Sequence, residues 1–109
     1  MTVTSPFGSR SRTRLLIALE LLGQTYPREL ARLLGSSLSA TQKGLESLER
    51  DGLVVGRLVG RTRVVQLNPA YFALKEVRAL LVRLVEADRE LESRIAALRR
   101  RPRKSGKRL

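Results

Sequence analysis

Apolar positions recur along the chain in three rhythms, and each predicts a kind of element. From Ser11 to Leu22, Leu15, Leu16, Leu19 and Leu22 keep the i, i+1, i+4, i+7 spacing of a helix with one face on a core, and Gly23 stops it. Tyr26-Pro27 opens a second helix, since proline loses no hydrogen bond at the first helical position. Leu30, Leu33 and Leu34 form its buried stripe, with Arg28, Glu29 and Arg32 outside and Gly35 at its end. A third helix follows within two or three residues. Ser37 is its N-cap, worth about 1 kcal/mol, and Gly52 ends it in a left-handed cap. Thr41, Leu45 and Leu48 face inward, while Ser39, Gln42, Lys43 and Glu46 face outward. Two short helices joined this closely are a helix-turn-helix candidate. An ordinary amphipathic surface helix has the same pattern, so the neighbouring segments have to decide between the two.

After Gly52 the period shortens. Leu53 to Leu58 and Thr62 to Leu67 are β-prone, and Val59-Gly60-Arg61 between them makes a turn, which predicts a hairpin. Arg57, Arg61 and Arg63 put three charges near its tip with no acid in the hairpin to pair them. Charged edge strands resist aggregation, but three arginines on one short hairpin favour phosphate or minor-groove contact. Asn68-Pro69 ends the hairpin. A third rhythm then runs unbroken: Leu74, Val77, Leu81, Leu84, Asp88, Leu91, Ile95 and Leu98 alternate in steps of three and four. That is a heptad register with one polar entry, Asp88, in a single helix over about residues 70–98. At ~1.5 Å per residue it would be ~44 Å long, more than so small a domain covers. Tyr71, Phe72 and Leu74 are expected to pack on the domain and the later heptads to pair with a second chain. Asp88 in that seam calls for an antiparallel or offset pairing, or for neutralisation by Arg83, Arg89 or Arg94.

Charge changes the picture more than composition does. The 109 residues carry 22 Lys and Arg against 10 Asp and Glu, a net charge of +12. Residues 1–68 hold 10 basic and 5 acidic side chains, residues 69–98 hold 5 of each, and residues 99–109 hold 7 basic and none acidic. The excess therefore sits on the N-terminal domain and a terminal run, and points to a polyanionic partner, nucleic acid before an acidic membrane surface. Arg10, Arg12 and Arg14, alternating with Ser9, Ser11 and Thr13, fit either a solvated N-terminal turn or phosphate contacts. They also precede Leu15-Leu16-Ile17-Ala18-Leu19 as in a signal peptide, but Glu20 interrupts that run and no small-residue cleavage site follows. A cytoplasmic location is expected, and no apolar stretch reaches the length of a membrane span. With no His and no Cys, the chain lacks the commonest general base and the thiolate and imidazole metal ligands. Neither an enzyme, a cofactor nor a metal site is expected. The parts read as an arm (1–10), a compact domain (11–68), a long helix (69–98) and a disordered basic tail (99–109).

The order of these parts resembles the winged helix-turn-helix regulators, most of all the ArsR-like family, over about residues 11–98. Arg28-Glu29-Leu30-Ala31-Arg32-Leu33-Leu34-Gly35 is similar to that family's second helix. Leu45-Glu46-Ser47-Leu48-Glu49-Arg50-Asp51-Gly52-Leu53-Val54 is similar to its recognition helix and exit. Val59-Gly60-Arg61 through Leu67-Asn68-Pro69 is similar to its wing. The resemblance implies a mostly α fold with a small β-hairpin, a winged helix-turn-helix domain followed by a long dimerisation helix. It places the third helix (37–51) in the major groove, with Ser39, Gln42 and Lys43 at base edges. Gln suits adenine and Lys guanine. Arg28, Arg32, Ser37, Arg57, Arg61 and Arg63 would hold the DNA backbone, the last three from the wing (53–67). Leu38 departs from the usual polar residue and either meets a thymine methyl or packs. The metal-sensing members' Cys and His are missing from the matching segments, and Asp88 with Glu92 alone makes a poor transition-metal site.

Two functions fit. One is a homodimeric, sequence-specific regulator of double-stranded DNA, a repressor that occupies its operator and answers to an unidentified effector or partner. The other is an architectural or protein-interaction module with mainly non-specific DNA affinity.

Overall fold

The first helix is the axis around which the chain is built. The computed structural model describes residues 6–100, with side chains through Leu98. Residues 1–5 of the expected arm and the basic run from Arg99 lie outside the described side chains. Helix α1 spans Arg10–Leu22, and Ser9 caps it by accepting from the Arg12 amide at 3.1 Å. Thr13, Leu15, Leu16, Ile17, Ala18 and Leu19 are all buried, so α1 is enclosed on more sides than its predicted single face requires. A short strand β1 (Gln24–Thr25), helix α2 (Pro27–Leu34) and helix α3 (Leu38–Arg50) follow. Strands β2 (Val54–Val59) and β3 (Thr62–Leu67) form the hairpin, and α4 (Leu74–Ala87) and α5 (Arg89–Arg100) complete the chain.

The sheet is antiparallel in the order β1-β3-β2. Val54 pairs with Leu67 and Val59 with Thr62, leaving Gly60-Arg61 as a two-residue turn. The sequence pattern missed β1, in which Gln24 pairs with Gln66 and Thr25 with Val65. Two residues are too few to show any period. Asn68 ties both ends of the hairpin: its amide donates to the Leu53 carbonyl at 2.9 Å and its side chain to the Gly52 carbonyl at 2.9 Å.

The core is Leu15 to Leu19 of α1, Leu30 and Leu33 of α2, Leu45 and Leu48 of α3, Leu53, Val54 and Val65 of the hairpin, and Leu81, Val85, Leu91 and Ile95 of the last two helices. The close approach of α3 to α1 depends on Gly44, where a Cβ would stand 2.7 Å from Leu15 Cδ1.

The single long helix expected after Pro69 is instead two. Asp88 breaks it. One carboxylate oxygen of Asp88 accepts from Arg14 Nε at 2.8 Å, and the other accepts from the Leu91 amide at 3.3 Å, capping α5. An aspartate drawn to a buried arginine and acting as an N-cap ends one helix and starts the next. Arg94 Nη1 donates to the Leu33 carbonyl at 2.7 Å and holds α5 on the C-terminal end of α2. The continuous pairing seam is corrected accordingly. Leu81, Asp88, Leu91 and Ile95 are buried inside their own chain, and Leu74, Val77, Leu84 and Leu98 are half-buried. Helical steps of three and four suit an internal core as well as a partner chain. Phe72, expected to pack, is 91% exposed, while Tyr71 lies against the core.

Candidate nucleic-acid interface

Helices α2 and α3 are joined by Gly35-Ser36-Ser37. Gly35 adopts the left-handed conformation (φ 65°), which turns the Ser36 amide back onto the Ala31 carbonyl at 3.0 Å, while the Gly35 amide donates to the Arg32 carbonyl at 3.3 Å. Ser37 Oγ accepts from the Ala40 amide at 3.0 Å, and Ser36 shares a hydrogen bond of 2.8 Å with Thr41. The turn fixes the start of α3, and Thr41, Leu45 and Leu48 press its inner face on the core. Ser39, Gln42, Lys43 and Glu46 are all exposed on the outer face. Arg50 extends that row by one more turn and is exposed too, a residue the sequence reading did not single out although it lies eleven beyond Ser39. Leu38 is half-buried. Ser37 serves its helix as a cap, which leaves its hydroxyl hydrogen as the group that can still donate to a phosphate.

Exposed cations lie on the elements next to α3. Arg28 and Arg32 are exposed on α2, Arg10 at the start of α1, and Arg57 and Arg61 on the hairpin. None of them forms an ion pair among the described residues. Arg63 differs. Its guanidinium donates to Glu49 of α3, so the hairpin's third arginine does have an acid to pair with, supplied from a different element. Gly56 makes room for that pair: a Cβ there would lie 2.8 Å from Glu49 Oε2 and 3.0 Å from Arg63 Nε. Arg12 and Arg14, read as either solvated or phosphate-binding, are neither. Arg12 donates to Asp51, Ser47 and the Phe7 carbonyl, and Arg14 to Asp88.

Between the N-terminal ends of α1 and α3 and the end of α2 lies a cleft of about 270 Å³, with Arg10, Arg14, Leu34 and Thr41 in its lining. Among the described residues no group of three His, Cys, Asp or Glu could hold a metal ion. No helix there is long and apolar enough to cross a membrane.

No protein-family model and no curated protein sequence matches the chain. Solved structures do. A point mutant of ZitR from Lactococcus lactis matches with a TM-score of 0.63 and 14% identity, over 94% of this chain and 68% of that one. The adhesin competence repressor AdcR of Streptococcus pyogenes matches with a TM-score of 0.60 and 18% identity, over 89% and 69%. The MarR family transcriptional regulator SPO1453 of Silicibacter pomeroyi DSS-3 matches with a TM-score of 0.56 and 25% identity, over 81% and 60%. The fold is therefore the winged helix shared with these structures, with the β2–β3 hairpin as the wing.

Proposed function

We propose that this chain is a homodimeric, sequence-specific transcriptional regulator that binds double-stranded DNA and acts as a repressor in the cytoplasm. One observation carries the reading: α3 exposes a polar row, Ser39, Gln42 and Lys43, and the two elements it packs against, α2 and the wing, carry unpaired cations. Seated in a major groove, α3 puts Gln42 in reach of adenine N6 and N7 and Lys43 in reach of guanine O6 and N7. Glu46 and Arg50 continue the row toward the groove walls. Arg28, Arg32 and Ser37 meet phosphates on one side of the helix, and Arg57 and Arg61 on the other. Ser39 stands at the start of the row, where a hydroxyl can serve either a base edge or a phosphate.

The second copy is assigned to the flank of α4. Val77, Leu80 and Leu84 follow one another at i, i+3 and i+7 and keep part of their apolar surface open, Leu80 being 41% exposed. Leu74 and Leu98 border the same helices and are also incompletely covered. A two-fold pair through α4 would set two recognition helices about 34 Å apart, one turn of duplex, and would read a palindrome. The sequence motifs resemble ArsR-like proteins, whereas a MarR family regulator is among the structural matches; the placement of α3 and the wing is common to both readings.

Selection of duplexes from a random library by the purified protein tests the proposal. We expect one enriched palindromic motif, lost when Gln42 and Lys43 are both changed to alanine while affinity for random duplex persists. Enrichment of no motif would overturn the regulator in favour of an architectural module. Leu80→Glu should shift sedimentation from dimer to monomer.

A further inference from the structure

The hairpin tip is apolar where a solvated tip would be polar. Leu58 is 73% exposed and Val59 is 50% exposed, the last two residues of β2 before the turn. Successive strand residues point to opposite faces, so both faces of the ribbon end in a bare aliphatic side chain. Arg57 and Arg61 lie on either side of this pair in sequence, exposed and without an ion pair among the described residues. Leu58 is the cross-strand partner of Arg63, on the face that carries Gly56 and the Glu49 ion pair. That pair anchors the ribbon to the last turn of α3, so the tip is held at a set place relative to the recognition helix.

The geometry points to a minor-groove wedge: Leu58 enters between the sugar walls at a base step, the flanking arginines hold the phosphates, and the duplex bends away from the wing. The inference rests on the DNA-binding reading above and adds a deformation to it. Charge complementarity selects the occupant, because an apolar tip rimmed by arginines suits a groove with anionic edges and aliphatic sugar walls. Size supplies the strain. Sheets stack about 10 Å apart face to face, so a ribbon with side chains on both faces is of that order in thickness, whereas an undistorted minor groove is about 6 Å wide. A ribbon bearing Leu58 and Val59 on opposite faces fits only a widened groove, and a wedged, widened minor groove is a kinked one. Such side chains bend duplexes by about 20–90° toward the major groove. Pyrimidine–purine steps yield most easily, so a flexible step is expected where the wing lands.

The test uses the full chain and duplexes of about 30 base pairs, roughly three helical turns, labelled at both ends and carrying either the library-enriched motif or random sequence. End-to-end energy transfer should rise on binding the motif. Leu58→Ser should bind about tenfold more weakly and leave the bound duplex straight, while Leu58→Met keeps the bend. Unchanged thermal unfolding of Leu58→Ser would show that the exposed site is not structural. Bending by Leu58→Ser equal to that of the original chain, or a straight duplex with the original chain, overturns the wedge and leaves the regulator standing. Failure to bind any duplex overturns both.

Discussion

Two sets of arginines in this molecule do different work. Arg12, Arg14, Arg78 and Arg94 each join elements far apart in the chain, to Asp51, Asp88, Glu20 and the Leu33 carbonyl, the first two largely enclosed and the last two at the surface. Arg10, Arg28, Arg32, Arg50, Arg57 and Arg61, by contrast, are exposed and find no carboxylate among the described residues. The described arginines thus fall into two populations. One staples the fold, and the other carries no carboxylate partner among the described residues and is proposed to meet DNA. Hydrogen bonding to Glu20, and then its charge, raises the Arg78 guanidinium further above its usual value.

The largest effect should come from the most buried staple. Arg14 and Asp88 expose only 14% and 9% of their side chains. Asp88→Ala takes the close partner from a largely enclosed guanidinium, leaving only Glu90 at 3.8 Å, and removes the cap of α5. We expect a loss of about 3–5 kcal/mol, seen as a fall in Tm of more than about 10 °C, with motif preference unchanged in the fraction that stays folded. A loss below about 1 kcal/mol, the size of an exposed pair, would break the division between the two populations. The double variant Arg14→Met with Asp88→Leu sharpens it. Arg14 Nη2 is buried and makes no hydrogen bond, so the native pair is imperfectly satisfied, and apolar replacements of similar volume should recover most of the loss.

The unpaired population should behave in the opposite way. Arg57→Ala with Arg61→Ala should leave Tm within the scatter of surface changes, about 0.5 kcal/mol. Each lost phosphate contact should reduce the slope of log affinity against log salt by about 0.9. Titration of duplex at several salt concentrations measures this. A drop in Tm with an unchanged slope would place these two arginines among the staples.

How much of this division could be read from the chain alone follows from the range of each interaction. Helices α2 and α3 and the hairpin were legible because their periods and stops are local: Pro27, Gly35, Ser37, Gly52 and Gly60 each mark a boundary within a few residues. The outer face of α3 was legible for the same reason, since helical spacing alone decides which side chains are turned away from Leu45 and Leu48. The break at Asp88 was not. Its cause is Arg14, 74 residues earlier, and the heptad spacing runs through it undisturbed. The arginines of the first helix were ambiguous until Asp51 and Asp88 came into place beside them. Phe72 illustrates the converse: an aromatic residue is a poor guide to burial when it sits in the turn before a helix.

Arg63 belongs to neither population cleanly, and it gives the smallest and most discriminating effect. Its side chain is 42% exposed, yet it is tied to Glu49, which is itself 25% exposed. An ion pair open to this degree contributes about 1 kcal/mol or less, so Glu49→Gln should barely lower Tm. It also removes a negative charge beside the proposed DNA surface and releases a guanidinium on the wing. If Arg63 then reaches a phosphate, the salt slope steepens by about 0.9 and low-salt affinity rises for all duplexes alike. The wing, no longer fastened to α3, should at the same time bend the enriched duplex less uniformly, which broadens the distribution of end-to-end distances. Steeper salt dependence together with a broadened bend would identify the pair as the fastening that trades one phosphate contact for a fixed wing. An unchanged slope and an unchanged distribution, with a clear fall in Tm, would return Arg63 to the staples.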